Sequence, residues 1–149
     1  MNRLWSHARR RFRREDGTAA VELAILTPVF LTMLLGLADY GLITYYSLAM
    51  GSSARAGAQY ALRNSTDTAG IEAVVKATTT LPANKLTVVP STFCECPNHV
   101  AVACAATCVG GVVNAYVKVE VTQQYTSLFP IPLIPTPYTI TETAILRIR

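Results

Sequence analysis

The stretch TAAVELAILTPVFLTMLLGLADYGLITYYSL, residues 18–48, sets the architecture that we expect for this chain. No charged side chain occurs from Leu23 to Ala38, and the apolar run continues past Asp39 to Leu48. A bilayer hydrocarbon core of about 30 Å takes roughly 20 helical residues, so residues 18–38 are long enough to cross it. The pattern predicts a single transmembrane helix that starts near Thr18.

The segment before this run, residues 1–16, is strongly basic. It reads MNRLWSHARRRFRRED and holds six of the 13 lysines and arginines in the chain. Arginine accumulates on the cytoplasmic flank of membrane helices, which predicts a cytoplasmic N-terminus and an exported C-terminal part. Residues 18–149 carry seven basic and seven acidic side chains, so the net charge of +4 belongs to the N-terminal segment. This distribution does not indicate a nucleic-acid-binding surface.

Gly17 lies at the junction between the basic segment and the apolar run, and Glu22 follows five residues later. A carboxylate in an apolar helix costs about 2–3 kcal/mol on insertion scales, so anchoring alone does not explain Glu22. A basic leader, a glycine, four small or apolar residues, a glutamate and a long apolar helix resemble a type IV prepilin processing site. With LADYGLITYYSLAMGSSARAGAQYALR, residues 37–63, the pattern is most similar to the TadE-like family of tight-adherence (type IVc) minor pilins.

The resemblance implies processing and assembly. In the family a prepilin peptidase cuts on the cytoplasmic side after the glycine, so Gly17 and Thr18 would flank the scissile bond and Glu22 would be residue five of the mature chain. The resemblance also implies other pilin subunits and a pilus assembly platform as partners, in the bacterial inner membrane or the pilus. The main pilins of this system carry Glu-Tyr, whereas this chain carries Glu22-Leu23, which matches the minor-pilin variant.

Two alternatives for the N-terminus remain. A secretory signal peptide ending at Ala38 would release a chain that begins at Asp39, but it would be longer than the usual roughly 15–30 residues and would contain Glu22 and Pro28. An uncut signal anchor would instead give a permanently membrane-anchored envelope protein with a partner-binding ectodomain and no filament role. In the anchored forms, Asp39 is expected to be solvated among the outer headgroups.

A stripe of small residues continues the helix beyond the membrane. Ser53 with Gly57, Ala54 with Ala58, and Gly57 with Ala61 are each four residues apart. Small residues at this spacing let another backbone approach closely. The sequence leaves open whether the stripe packs on the sheet of the same protein or on another subunit.

The exported part is predicted to add a second helix and an antiparallel sheet. Asp67 or Ser65 is suited to cap a helix that runs to about Lys76. Alternating or apolar runs predict strands at 86–89 (ended by Pro90), 115–121 and 138–149. The proline-rich stretch TSLFPIPLIPTP, residues 126–137, is predicted to be an extended connection that covers the core or offers a docking patch.

The four cysteines are expected to form two disulfides on the oxidising side of the membrane. They are Cys94, Cys96, Cys104 and Cys108. A Cys94–Cys96 bridge is disfavoured because one intervening residue strains its geometry. Two pairings remain open, Cys94–Cys104 with Cys96–Cys108, and Cys94–Cys108 with Cys96–Cys104. The alternative to two disulfides is a zinc site with His99 as a substitute ligand. Zinc-binding cysteine pairs usually have about two to four intervening residues, whereas Cys94 and Cys96 have one.

No catalytic grouping occurs in the exported part, which has one histidine and neither a nucleophile motif nor a phosphate-binding glycine loop. We therefore predict no enzyme activity, no cofactor and no metal. The expected fold is α+β: a long N-terminal transmembrane helix continues into a small disulfide-linked, pilin-like domain. The expected parts are a basic cytoplasmic leader at 1–17, the transmembrane helix and start of a stalk at 18–48, and the extracytoplasmic domain at 49–149. The predicted function is that of a prepilin-like minor pilin or pseudopilin in tight-adherence pilus assembly.

Overall fold

A computed structural model of the protein describes the backbone of residues 3–127 and 137–148, and the side chains of 17–127 and 137–148. The chain divides into two compact units, Met1–Tyr40 and Gly41–Arg149. The elements in order are α1 (Arg3–Ala61), α2 (Thr68–Thr78), a 3₁₀ helix (Ala83–Lys85), β1 (Thr87–Glu95), β2 (Ala101–Val102), β3 (Asn114–Tyr125) and β4 (Tyr138–Arg147). The predicted α+β fold, with a long apolar N-terminal helix, an antiparallel sheet and two disulfides, is confirmed.

Helix α1 begins at Arg3, so the predicted start near Thr18 is wrong. Residues 3–16 contain no proline or glycine, and they are rich in arginine, a strong helix former. Gly17 weakens the helix at one position by about 0.5–1 kcal/mol relative to alanine, which does not interrupt it because propagation is cooperative.

The apolar part of α1 contains a proline and two threonines that the helix accommodates internally. Pro28 has no N–H to donate to the carbonyl of Ala24. Nearby, Thr27 Oγ1 donates to the Leu23 carbonyl at 2.6 Å, and Thr32 Oγ1 donates to the Pro28 carbonyl at 3.0 Å. These hydroxyls are therefore satisfied within the helix and are compatible with a surrounding of lipid.

The sheet is antiparallel throughout, with the strand order β2-β1-β3-β4. β1 pairs with β3 from Thr87↔Thr122 to Glu95↔Asn114. β3 and β4 form a hairpin whose register runs to Tyr125↔Tyr138. Most of the proline-rich stretch predicted to connect these two strands, residues 128–136, lies outside the described residues.

Strand β1 is longer than predicted, because it continues through Pro90 to Glu95. Pro90 lies opposite Val119 of β3, whereas β2 pairs only with Cys94 and Glu95. In the described part of the chain, the other edge of β1 therefore carries no strand at Pro90. A proline is tolerated there because its missing N–H leaves no sheet hydrogen bond unmade.

The core of the unit Gly41–Arg149 lies between the sheet and the helices. The predicted alternation of β3 is confirmed, since Val117, Val119 and Val121 are fully buried. Each such side chain contributes about 1.5–3 kcal/mol through removal from water. The buried apolar partners on the helices are Met50, Ala54, Ala58, Ala61, Ile71 and Val75.

The small-residue stripe of α1 packs within its own domain. Ser53 is 1% exposed, and Ala54 and Ala58 are fully buried. A Cβ added to Gly57 would overlap Cγ2 of Val75 and lie 3.4 Å from Cγ2 of Ile71, both on α2. The glycine therefore permits the close approach of α2, which the sequence alone left undecided between the same protein and a second subunit.

Gly57→Ala is expected to be less stable than Gly51→Ala by about 1–3 kcal/mol, the usual cost of overpacking a core. Both substitutions gain about 1 kcal/mol of helix propensity. At Gly51 the nearest atom to an added Cβ is Glu142 Oε2 at 3.8 Å, so only Gly57 requires Val75 to move. Denaturant unfolding of both full-length variants in detergent measures the difference. Equal stabilities would show that α2 does not approach α1 as closely as described.

The N-terminus of α2 is capped by Asp67, which confirms one of the two predicted caps. Asp67 Oδ1 accepts a hydrogen bond from Gly70 N at 2.9 Å, and Oδ2 accepts one from the Tyr60 hydroxyl at 2.8 Å. These two donors, the Gly70 N–H first, lower the pKa of Asp67 below its usual value of 3.8. The carboxylate therefore stabilises the fold above the unfolded-state pKa, and this contribution is lost as the pH falls through the folded-state pKa.

Asp67→Asn is expected to flatten the acid limb of the stability profile, because asparagine also caps helices but does not titrate. Thermal midpoints measured from about pH 7 to pH 2 should fall less steeply for the variant than for the wild type. Glu72→Gln is the control, since Glu72 lies on the same helix and pairs with Lys76 at the surface. Parallel profiles for Asp67→Asn and the wild type would show that Asp67 does not contribute to the acid sensitivity.

Candidate functional site

One helix within the described residues is long and apolar enough to cross a membrane. The candidate span is Gly17–Ala61, with a mean hydropathy of 2.1 in its most apolar window, none of which is buried. Large side chains such as Leu23, Val29 and Met33 are 67%, 62% and 73% exposed. A stretch this apolar and this exposed is consistent with membrane anchoring.

Gly17 lies inside α1, and the fold does not require a glycine at this position. No described atom lies within 4 Å of a Cβ added to Gly17, and its φ is outside the left-handed region that favours glycine. Gly41 is equally open, but only Gly17 stands where the basic segment meets the apolar run. The helix therefore carries the cost of a glycine without a packing benefit, at the predicted processing site.

Glu22 lies one helical turn beyond Thr18, and its side chain is exposed. Positions four apart face the same side of a helix, so the structure brings Thr18 and Glu22 to one face. Among the side chains of residues 17–127 and 137–148, Glu22 forms no ion pair. The carboxylate is therefore presented on the outside of the helix, where another molecule can reach it.

Asp39 is buried, although it was expected to be exposed to solvent. It is 1% exposed, so the expectation that it is solvated among the outer headgroups is wrong. Protein atoms cover its side chain, and it takes part in a polar or electrostatic interaction. A buried carboxylate needs such partners to offset its desolvation. The sequence offered no signal for this burial, because Asp39 is one acid in an otherwise apolar run.

The four cysteines form two disulfides, Cys94–Cys104 and Cys96–Cys108. This is the first of the two pairings that the sequence left open, with Cα–Cα distances of 5.1 and 5.6 Å. The bridges tie residues 104 and 108 of the long β1–β3 connection to the end of β1. Within the described residues, β2 is the one regular element of that connection, so the bridges are its main constraint.

The alternative of a zinc site is not supported, because disulfide sulfurs do not supply thiolate ligands. No group of three or more metal-binding side chains occurs within the described residues. His99, considered as a substitute ligand, has an 87% exposed side chain whose Nδ1 lies 3.7 Å from Glu95 Oε2. It is a surface histidine at a left-handed turn position, with a φ of 61°.

Comparison with known proteins gives one match. Residues 17–59 match the model of the family described as TadE-like protein. No curated protein matches the chain, and no solved structure matches it. The matched segment begins at Gly17 and contains Glu22, Gly57 and the small-residue stripe up to Ala58, and the match implies a protein associated with the tight-adherence pilus. Residues 17–59 of this chain are thus a TadE-like family domain.

Proposed function

We propose that this chain is a prepilin-like minor pilin or pseudopilin that takes part in assembly of a tight-adherence (type IVc) pilus. The observation that carries the proposal is Gly17, a helical glycine that the fold does not require, at the start of the TadE-like segment and five residues before Glu22. In this proposal residues 1–17 are a cytoplasmic leader, 18–48 form the transmembrane helix and the start of the helical stalk, and 49–149 form the exported domain. The proposal assigns no catalytic activity and no cofactor to the chain.

Processing would occur at the bond between Gly17 and Thr18. A prepilin peptidase would add water across this peptide bond, which leaves a carboxylate on Gly17 and an ammonium group on Thr18. Proteases bind substrates in extended conformations, so the helix has to open locally around the bond. A helical glycine lowers the cost of that opening by about 0.5–1 kcal/mol relative to alanine. The absence of a side chain also leaves the bond sterically accessible.

The assembly step would use Glu22. In lipid, the new ammonium group of Thr18 and the Glu22 carboxylate each need a partner, and pairing relieves both desolvation costs. Within one chain the two groups lie four residues apart on one face. Between neighbouring subunits that are staggered along their helices, the Glu22 carboxylate of one subunit would form an ion pair with the Thr18 ammonium group of the next. The partners are then the prepilin peptidase, other pilin subunits and the assembly platform, in the bacterial inner membrane.

The N-terminus of the protein recovered from cell envelopes tests this proposal. Intact mass and terminal peptide sequencing distinguish three outcomes. A chain that begins at Thr18 supports the prepilin assignment. A chain that begins at Asp39 is the product of a secretory signal peptidase and would overturn the filament role. An intact Met1 would favour a permanently anchored envelope protein with a partner-binding ectodomain.

A further inference from the structure

Four of the seven tyrosines gather at one end of the unit Gly41–Arg149. The ring centroids of Tyr45 and Tyr46 are 6.1 Å apart, and those of Tyr46 and Tyr125 are 5.5 Å apart. Tyr138 is the register partner of Tyr125 across the β3–β4 hairpin. We call these four residues the tyrosine cluster. It joins the helical segment of this unit to the end of β3 and the start of β4.

The tyrosine cluster lies where the chain of α1 enters this unit. Tyr45 and Tyr46 are close to Gly41, the first residue of the unit, and the Tyr45 hydroxyl lies 3.0 Å from Thr80 Oγ1 after α2. Tyr45 is about two helical turns beyond Ala38 along the chain. A bilayer that holds the apolar run from residue 18 to 38 therefore leaves the Tyr45 backbone about 10 Å outside the hydrocarbon. Helical side chains tilt toward the N-terminus of their helix, so the Tyr45 ring lies on the headgroup side of its backbone.

The cluster combines buried and exposed rings. Tyr125 is 5% exposed, whereas Tyr45 and Tyr138 are 51% and 42% exposed. The half-buried Tyr46 contacts both the exposed Tyr45 ring and the buried Tyr125 ring. A tyrosine ring has an apolar body and a hydroxyl tip, which favours the boundary between hydrocarbon and water.

An open groove of about 460 Å³ adjoins the cluster. Thr126 and Thr139, the chain neighbours of Tyr125 and Tyr138, are among its lining residues, and Lys85 is the one charged residue among them. Gln123 also lines it, is 4% exposed, and has no hydrogen-bond partner for Oε1 in the part of the chain that the structure describes. A lysine ammonium group and threonine side chains match a phospholipid headgroup, which offers phosphate oxygens as hydrogen-bond acceptors.

We propose that this end of the domain rests on the lipid headgroups of the bilayer that holds the apolar helix. The exposed rings of Tyr45 and Tyr138 lie among the headgroups, and Lys85 contacts lipid phosphate. The inference rests on membrane insertion of α1, which is part of the proposed function, but on neither cleavage nor filament assembly. The contact holds the exported domain against the membrane.

Tryptophan scanning with a lipid-borne quencher tests the proposal on the full-length chain. Trp5→Phe removes the single native tryptophan, and tryptophan is then placed singly by Tyr45→Trp, Tyr138→Trp or Tyr116→Trp. Vesicles of phosphatidylcholine and phosphatidylglycerol carry a phospholipid that is spin-labelled on its headgroup. Tyr116 is the matched control, because it is a sheet tyrosine near the other end of β3, stacked on Phe93 at 5.3 Å.

A roughly twofold or greater loss of emission is expected for tryptophan at positions 45 and 138, and little loss at position 116. Leu34→Trp, placed in the apolar run with its native side chain 60% exposed, reports insertion separately through a quencher deep in the acyl chains. Quenching at 34 without quenching at 45 and 138 would overturn the headgroup contact and leave membrane insertion standing. No quenching at any position would overturn both.

The role of Lys85 has its own test in the Tyr138→Trp background. Lys85→Gln is expected to reduce headgroup quenching in vesicles rich in phosphatidylglycerol. A lysine close to an anionic membrane surface strengthens binding to that surface by about 1 kcal/mol, which is roughly fivefold in the binding constant. Lys118→Gln is the control, since Lys118 pairs with Glu120 on the sheet at 2.7 Å. Equal quenching in Lys85→Gln and in the parent would overturn the phosphate contact of Lys85.

Discussion

Glu22→Ala is expected to abolish incorporation of the subunit into pili while membrane insertion and N-terminal processing continue. Alanine removes a carboxylate that costs about 2–3 kcal/mol in the apolar helix, so insertion becomes easier. Assembly fails because the ammonium group of the neighbouring subunit no longer finds its partner in lipid. Immunoblots of sheared pili and of membrane fractions from the same cells measure the two steps separately.

Two further variants distinguish loss of the Glu22 charge from loss of side-chain volume on the same helical face. Glu22→Gln keeps the size and polarity of the side chain but not its charge, and it should also fail to assemble. Leu26→Ala removes a 43% exposed side chain one turn later on the same helical face, and it should assemble far better than either. Normal incorporation of Glu22→Ala, or an equal defect in Leu26→Ala, would refute charge pairing as the role of Glu22.

Gly17→Leu is expected to block processing and leave a single full-length band. The leucine side chain covers the bond that the peptidase has to reach, and it stabilises the helix across that bond by about 1 kcal/mol. The full-length form retains the leader and all six of its arginines, so its mass identifies it directly. Because nothing described lies within 4 Å of a Cβ at Gly17, the substitution should not disturb the fold.

The matched control for this prediction is Gly41→Leu. Gly41 is another glycine of α1 with open space around an added Cβ, but it lies far along the chain from the scissile bond. Processing of Gly41→Leu should match the wild type. A mature band in Gly17→Leu would show that cleavage takes place at another bond, and the start of that shorter chain would locate it.

The parts of the fold that follow from local patterns could be predicted from sequence. The apolar run shows the long helix, alternation marks Val117, Val119 and Val121 as core residues, and Asp67 precedes a helix as a cap. Each of these features depends on neighbouring residues and on the 3.6- and 2-residue periods of helix and strand. The even cysteine count also predicted two disulfides.

The features that depend on distant contacts could not be predicted. Pro90 ends a strand by local rules, yet β1 continues because that position lies at a sheet edge. Gly57 marks a close approach, but only the fold shows that Val75 is the partner. The disulfide pairing depends on where the β1–β3 connection folds back onto Cys94 and Cys96. The tyrosine cluster joins residues nearly a hundred positions apart, so no sequence window contains it.

The sequence names the residues of the candidate site, whose roles stay predictions, but it did not predict that they lie inside a longer helix. Gly17, Thr18 and Glu22 are recognisable because charge, small side chains and hydropathy change within a few positions. That α1 continues through this junction to Arg3 was not expected. The sequence pattern indicated a basic leader ahead of a helix that starts near Thr18, whereas arginine is also a good helix former.

The continuity of α1 across Gly17 changes what hydrolysis would do there. A cut inside a helix turns an interior position into a new N-terminus, where four backbone N–H groups lose their acceptors. The positive end of the helix dipole, worth about half an elementary charge, then coincides with the Thr18 ammonium. At the same moment six guanidinium groups depart with the leader. Proteolysis would thereby remove the positive charge that is spread over the leader and create a single concentrated positive charge at Thr18, at the edge of the bilayer. There the Glu22 carboxylate of an adjacent subunit could reach it.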